Sequence, residues 1–278
     1  MRDPLLSIVI PVKLNSGTLK STLKTVLNQN YSNIQIIVSD NSDQCIVKDI
    51  VSEFDDNRIK HIVPKRTSIN FSEDWEFALS GADGDYVTFL GDDDGALPNA
   101  YSLGMSYILN NDIDAFTWRK INYNWPDHLL PEFRSAMSGE SSPEIQKIDA
   151  RKALKLLSKF KIGYNTLPCI YNSIVSMKDV KFVINKTRQK KFFSGSIPDV
   201  YSGIALSSVI KKYYYASFPL TVNGASAKSS GVIQGKSNLS KKQKEQIVDV
   251  LSSKQRYHRD IGGFSTSIAS IVMGEYLR

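Results

Sequence analysis

The first ninety residues alternate short apolar runs with segments whose apolar residues recur at helical spacing. No other feature of the chain restricts its fold as much. Leu6–Val12, with Pro11 near its end, reads as a buried strand. Leu19, Leu23, Val26 and Leu27 follow at helical spacing, with Ser16 or Thr18 placed to cap the helix. Ile34–Val38 reads as a second strand, and Ile46, Ile50, Val51 and Phe54 mark a second helix. Ile59–Val63 gives a third strand, Phe71, Trp75, Ala78 and Leu79 a third helix, and Tyr86–Leu90 a fourth strand. Strand–helix–strand units of this length make right-handed crossovers, so the strands lie parallel in one sheet covered by helices. A chain of 278 residues can build one large α/β domain or two smaller ones around a sizeable core.

This arrangement locates the polar residues. In open α/β sheets, ligands bind beyond the carboxyl ends of the strands. The loops Pro11–Ser16, Ser39–Asp43 and Gly91–Gly95 all fall there, and all are polar, small or acidic. Asp40, expected on an exposed loop, can accept hydrogen bonds from a base or ribose, or cap the segment that follows it. Asp92, Asp93 and Asp94 stand side by side after the fourth strand. Three adjacent anions repel one another, so a folded site needs cations nearby. Mg2+ or Mn2+ would bridge such carboxylates to a phosphate, because these ions take oxygen ligands and keep positions open for substrate. A solvated acidic turn is the other reading. No Gly-x-Gly-x-x-Gly follows the first strand, and no Gly-Lys-Ser/Thr phosphate loop occurs, which disfavours an ordinary dinucleotide fold or an ATPase.

Lys plus Arg number 35 against 28 Asp plus Glu, a formal charge of +7. That balance suits a phosphorylated substrate, an anionic membrane surface or nucleic acid, or simply a soluble surface. Cys45 and Cys169 offer neither metal spacing nor a disulfide framework, which points to a reducing compartment. Met1–Pro4 lacks the apolar core of a signal peptide, and no apolar run approaches the ~20 residues that span a bilayer. The expectation is a cytoplasmic protein, soluble or peripheral at the inner face of the membrane.

Four segments in order resemble the opening of family-2 glycosyltransferases. They are Leu6–Val12, the helix ending Val26–Tyr31, Ile36–Asp43, and Gly84–Leu90 running into Asp92–Asp94, which is similar to the family's metal-binding Asp-x-Asp element. The resemblance implies an A-type glycosyltransferase fold, with a mostly parallel central sheet flanked by helices. It implies a Rossmann-like nucleotide-sugar-binding half (1–110), an acceptor-binding, catalytic half (111–230) and a C-terminal helical tail (231–278). The implied reaction moves a sugar, with inversion, from a nucleotide-sugar donor, expected to be a UDP-sugar, to a saccharide or lipid-linked acceptor. It uses Mn2+ or Mg2+ and involves no nucleic acid. By resemblance, Asp40 would hold the nucleobase, Pro11 and Val12 would wall its pocket, and Asn70 begins a helix with the relatives' polar-then-Trp pattern. Arg66 would meet the nucleotide or its phosphates, or be a surface arginine. Asp92 would face the ribose or metal, and Asp93 and Asp94 the metal. Gly91 departs from the pattern where many relatives carry the first Asp, and Lys13-Leu14-Asn15 replaces the more usual Tyr-Asn. Trp75 reads as core.

The second half is less transparent. Ala115–Trp118 reads as a strand, and Ile121–Pro131 as an aromatic loop whose Trp125 could stack a sugar or anchor the loop. His128 in that loop reads as no ligand. Leu154, Leu157 and Phe160 suggest a helix. Asp199 follows Pro198 at the head of an apolar segment, where an Asp can cap a helix; the resemblance makes it the catalytic base. Tyr213–Leu220 is strand-like. Asn223–Gly231 reads as a flexible loop that either closes over the diphosphate with Lys228 and Ser229 or merely links. Lys236–Lys244 is basic, and Ile261–Leu277 carries an apolar stripe with Ile268, Ile271 and Val272. This tail could pack on the core, join a homo-oligomer or lie on a membrane. Two other functions fit a metal-binding carboxylate set. A nucleotidyltransferase would need a Gly-rich, basic loop after the first strand, which is missing. A non-catalytic nucleotide- or sugar-binding module would not need Asp92–Asp94 and Asp199 together.

Overall fold

The structure, a computed structural model, describes residues 3–13, 17–42, 46–65, 70–195, 197–229 and 268–276. The expected alternation is present as β1 (Leu6–Val12), α1 (Leu19–Leu27), β2 (Ile34–Asp40), α2 (Ile46–Ser52), β3 (Ile59–Ile62), α3 (Phe71–Ser80) and β4 (Tyr86–Phe89). Then come β5 (Gly95–Ala96), α4 (Ala100–Asn111), β6 (Ala115–Trp118), β7 (Ile121–Asn124), β8 (Met137–Ser138), β9 (Ile145–Asp149) and α5 (Ala150–Leu157). The chain continues through β10 (Ser173–Ser176), α6 (Met177–Lys186), α7 (Pro198–Val209), β11 (Lys212–Ala216), β12 (Thr221–Ala225) and α8 (Ile268–Tyr276). Among the described residues, no helix is long and apolar enough to cross a membrane.

Eight strands form the central sheet in the order β3-β2-β1-β4-β10-β6-β11-β9. The first four pair in parallel, as do β6 and β11. β10 is antiparallel to both β4 and β6, with Val175 opposite Val87 and Ile174 opposite Phe116. That reversal positions the site. The carboxyl ends of β4 and β6 and the amino end of β10 meet at one edge, so the segment entering β10 lies beside the acidic turn leaving β4. A smaller sheet, β5-β12-β7-β8, stands over this edge and was not expected.

Several expectations change. The Ile121–Pro131 loop begins as β7, and Asn223–Ala225 is the end of β12 rather than flexible loop. Strand pairing with β7 and β5 overrides the weak strand propensity of Asn223 and Gly224. The helix expected to include Phe160 ends at Leu157, and Phe160 turns left-handed and outward. The alternation also hid β10 and α6, because Ser173–Ser176 is too short to read as a strand unaided.

Both faces of the sheet are packed. Ile8, Ile10, Ile36 and Val38 join α1 and α4 on one side, and Val9, Ile37 and Val87 join α3 and α6 on the other. Trp75 is core, as expected: it stacks on Phe89 with centroids 4.8 Å apart and takes Phe193 edge-on at 5.6 Å. In the tail, α8 buries Val272 against Leu157, Cys169 and Val200. Leu14–Ser16, Asp43, Cys45, Arg66 and 230–267 lie outside the described residues, as do the side chains of Ile268 and Ile271.

Candidate active site

The acidic turn is held chiefly by backbone. Helix α1 presents its apolar face to the core and a polar face of Thr18, Thr22, Thr25 and Gln29, spaced by three or four residues, to the turn. The Thr18 and Thr22 hydroxyls donate to the Asp92 carbonyl at 2.9 and 3.0 Å, and Thr22 also donates to the Asp94 carbonyl at 2.6 Å. Ala96 N–H donates to Thr25 Oγ1, and Gln29 Nε2 to the Leu97 carbonyl.

Asp94 is buried and spent within the protein. Its Oδ2 accepts from the Gly91 N–H at 2.7 Å and from the Tyr171 hydroxyl, and its Oδ1 accepts from the Gly224 N–H at 2.7 Å. Burial, and then the charge of Asp93, push its carboxyl up to about 6. Asp94 thus clasps the turn closed. The same contacts explain Gly91. A Cβ there would meet Asp94 Oδ2 at 2.9 Å and the Tyr171 hydroxyl at 3.0 Å, so any larger side chain requires both groups to shift.

Asp93 is tied to the segment that follows β12. Its Oδ2 accepts from the Ser229 hydroxyl and, at 3.3 Å, from the Ser226 N–H, while its carbonyl accepts from Trp125 Nε1 at 2.8 Å. Trp125 therefore anchors the turn, and His128 is buried against Leu130 within its own loop. Burial raises the Asp93 carboxyl. Two desolvated carboxylates pushed upward side by side form a site short of positive charge. Carboxylate and hydroxyl oxygens are hard donors that suit Mg2+ or Mn2+. Among the described residues, no three His, Cys, Asp or Glu side chains form a metal-holding group. The donor set therefore fits an ion bound through Asp93 with its remaining ligands from phosphate and water. Ser229 donates to Asp93, and Lys228 donates its backbone N–H to Ser226 Oγ.

Asp199 is partly buried. It lies in the first turn of α7, after Pro198 and the N-cap Ile197, so it is not the cap residue. The Tyr164 hydroxyl donates to its Oδ2 at 3.4 Å, and the Asp199 charge is the largest cause of the raised Tyr164 phenol. Burial first, then Asp94, Asp93 and, more weakly, Asp199 raise the Tyr171 phenol. One ring therefore feels both the acidic turn and a carboxylate more than a hundred residues later. Helix α7 is set by Gly203, which lets it close on Cys169, and by α3, whose Glu76 accepts from the N–H groups of Phe192 and Phe193.

The expected nucleotide end is more buried than the sequence suggested. Asp40 is the last residue of β2 and only 5% exposed. Its carboxylate accepts from Ser42 N–H at 2.9 Å and faces His61 Nε2 at 3.4 Å. Pro11 is half-buried at the end of β1, and Val12 is sealed in the core. Asn70 caps α3: its Oδ1 accepts from Glu73 N–H at 2.9 Å and Glu73 answers in a capping box. Asp74, one turn on, is buried, bonded to Asn41 and near Lys13 and Asp40. Tyr171 and Thr22 escaped the sequence reading, which took Thr18 only as a cap and Gly224 only as loop. Only the two threonines left a signal, as a polar stripe on an otherwise amphipathic helix.

The chain matches the family model Glycosyl transferase family 2 over residues 7–171. It is 33% identical over 101 residues to the GalNAc(5)-diNAcBac-PP-undecaprenol beta-1,3-glucosyltransferase of Campylobacter jejuni, over 36% of this chain and 33% of that protein. It is 30% identical over 113 residues to the UDP-Glc:alpha-D-GlcNAc-diphosphoundecaprenol beta-1,3-glucosyltransferase WfgD of Escherichia coli, over 41% of this chain and 44% of that one. The matches thus cover less than half the length of these two relatives. An uncharacterized glycosyltransferase of Haemophilus influenzae is 30% identical over 74% of this chain and 77% of its own. The crystal structure of S. aureus TarS superposes with a TM-score of 0.59 at 14% identity, over 93% of this chain and 45% of that one. TarS 1-349 in complex with UDP-GlcNAc gives 0.59 at 10% identity, over 89% and 71%. That likeness shows the A-type glycosyltransferase fold, and the family model spans more than half of the chain: the protein belongs to glycosyl transferase family 2.

Proposed function

We propose that the chain transfers a hexose from a UDP-sugar to a hydroxyl of a lipid-linked saccharide, inverting the anomeric carbon, in glycoconjugate or polysaccharide synthesis beside a membrane. The observation that carries this reading is that Tyr171, whose hydroxyl donates to Asp94 of the acidic turn, also feels the charge of Asp199, whose carboxylate accepts from Tyr164. The relatives' names support the donor and acceptor classes: one specifies UDP-Glc, and two specify undecaprenol-linked acceptors.

Asp199 is the base in this scheme. An acceptor hydroxyl is a weak nucleophile, and a carboxylate within hydrogen-bond reach takes its proton as attack proceeds. Tyr164 holds that carboxylate by donating to Oδ2, which leaves the other oxygen for the acceptor. Asp93, steadied by Ser226 and Ser229, would hold a divalent ion, which would supply positive charge to the leaving diphosphate. A single displacement, with base and leaving group on opposite faces of the sugar, inverts the centre.

The test is Asp199→Asn in a transfer assay with UDP-glucose and a synthetic prenyl-diphosphate saccharide. The side chain keeps its size and can still accept from Tyr164, but it cannot take a proton. Turnover should fall about 10²–10⁴-fold with donor affinity unchanged. Turnover close to wild type would remove Asp199 from the mechanism.

A further inference from the structure

Lys120 sits at the corner between β6 and β7, partly buried. Its neighbour Arg119 is committed, donating its N–H to the Ala216 carbonyl and its guanidinium to Glu140. Lys120 is not. The ion pairs among the described residues are Lys20–Glu53, Arg58–Asp56, Lys60–Asp83, His61–Asp40 and Arg119–Glu140. Its ammonium instead lies 4.3 Å from the centroid of the Tyr171 ring, the ring whose hydroxyl clasps Asp94. Its charge also reaches Cys169, lowering a thiol that burial and then Asp199 raise. A lysine thus stands over the ring that clasps the acidic turn, and none of the salt bridges among the described residues includes it.

An aromatic face holds an ammonium in place without neutralising it. A cation kept this way beside carboxylates is available to an anion that enters with the substrate. Lys is a compact point charge with rotatable donors, a form suited to phosphate oxygens. We propose that Lys120 binds the diphosphate of the nucleotide-sugar donor and keeps hold of it as the nucleotide leaves. This assignment rests on the proposed glycosyl transfer and adds a residue to it. The charge serves two ends. It lets a dianion enter a pocket that three carboxylates would otherwise make repulsive, and it offsets the charge that develops on the leaving oxygen.

The experiment titrates uridine, UMP and UDP, with Mn2+ present, into wild type, Lys120→Met, Lys120→Gln and Lys120→Arg, and records the melting temperature of each. UDP affinity should fall about ten-fold in the Met and Gln variants, the worth of one charge-assisted contact. Uridine affinity should stay within two-fold, and Arg should restore most of the UDP affinity. A Met variant that fails to melt cooperatively is replaced in the comparison by Gln. In steady state, KM for the UDP-sugar should rise while KM for the lipid-linked acceptor stays. Unchanged UDP affinity, or an equal loss of uridine, overturns the assignment. A rise confined to the acceptor's KM also overturns it, because Lys120 would then serve the acceptor's diphosphate. Wild type that binds no nucleotide rejects the proposed function itself, and the assignment with it.

Discussion

Asp74→Asn should make the protein more stable above neutral pH, which is the opposite of what losing a native carboxylate usually does. Asp74 is 1% exposed, its Oδ1 has no hydrogen-bond partner, and burial lifts its carboxyl from the ordinary value near 3.8 to about 7 despite help from Lys13 and Asn41. The sign follows from the raised value. Between about pH 4 and 7 the folded chain keeps a proton that the unfolded chain releases, so stability is full below the unfolded value and is lost as pH rises through about 7. Three pKa units at about 1.4 kcal/mol each set an upper limit near ~4 kcal/mol, of which roughly 2–3 kcal/mol should accrue between pH 5 and 8. Asn has the same shape and no proton to release. Urea unfolding of both proteins at pH 5, 6, 7 and 8 isolates the effect, because other titrating groups cancel in the difference. The stability difference should shift in favour of Asn by about 2–3 kcal/mol over that range. A difference that stays flat with pH would refute the account and mean that Asp74 is charged and adequately paired in the folded state.

Asp93→Ala should abolish transfer and remove the effect of Mn2+ on UDP affinity, measured by calorimetry; full activity of the variant, or of wild type in EDTA, would end the metal assignment. Gly224→Ala should destabilise the protein by about 3 kcal/mol, the upper end of the usual overpacking range, although Ala is ordinarily the better strand residue, because its Cβ would collide with the Asp93 carbonyl. Thermal melts check it, and a wild-type Tm would show that the smaller sheet yields more readily than its packing implies.

Legibility followed the range over which each feature is encoded. Strands β1 to β4 and their helices were readable because each carries its own apolar period, and the parallel sheet followed from connection chirality. The acidic turn was readable as three adjacent carboxylates, but the division of labour within it was not. Nothing local separates Asp94, gripped by Tyr171 and Gly224 from 77 and 130 residues away, from Asp93, which accepts from Ser226 and Ser229. Asp40 and Asn70 are ambiguous for a related reason. Both stand at element ends, where a polar side chain can serve either a ligand or the backbone; Asn70 serves the backbone and Asp40 is largely enclosed. Lys120 left no sequence signal, since only the reversed strand β10 brings it over Tyr171.

The threonine grip of α1 on the acidic turn has a consequence for how such an enzyme can change. Thr18 and Thr22 hold the carbonyls of Asp92 and Asp94, groups that every amino acid carries. The hold is therefore indifferent to which side chains the turn displays. Support and display are separate parts, joined through the peptide backbone. A lineage could exchange Asp92 while the turn stayed on its mount, and so explore new donors without first rebuilding the frame that presents them.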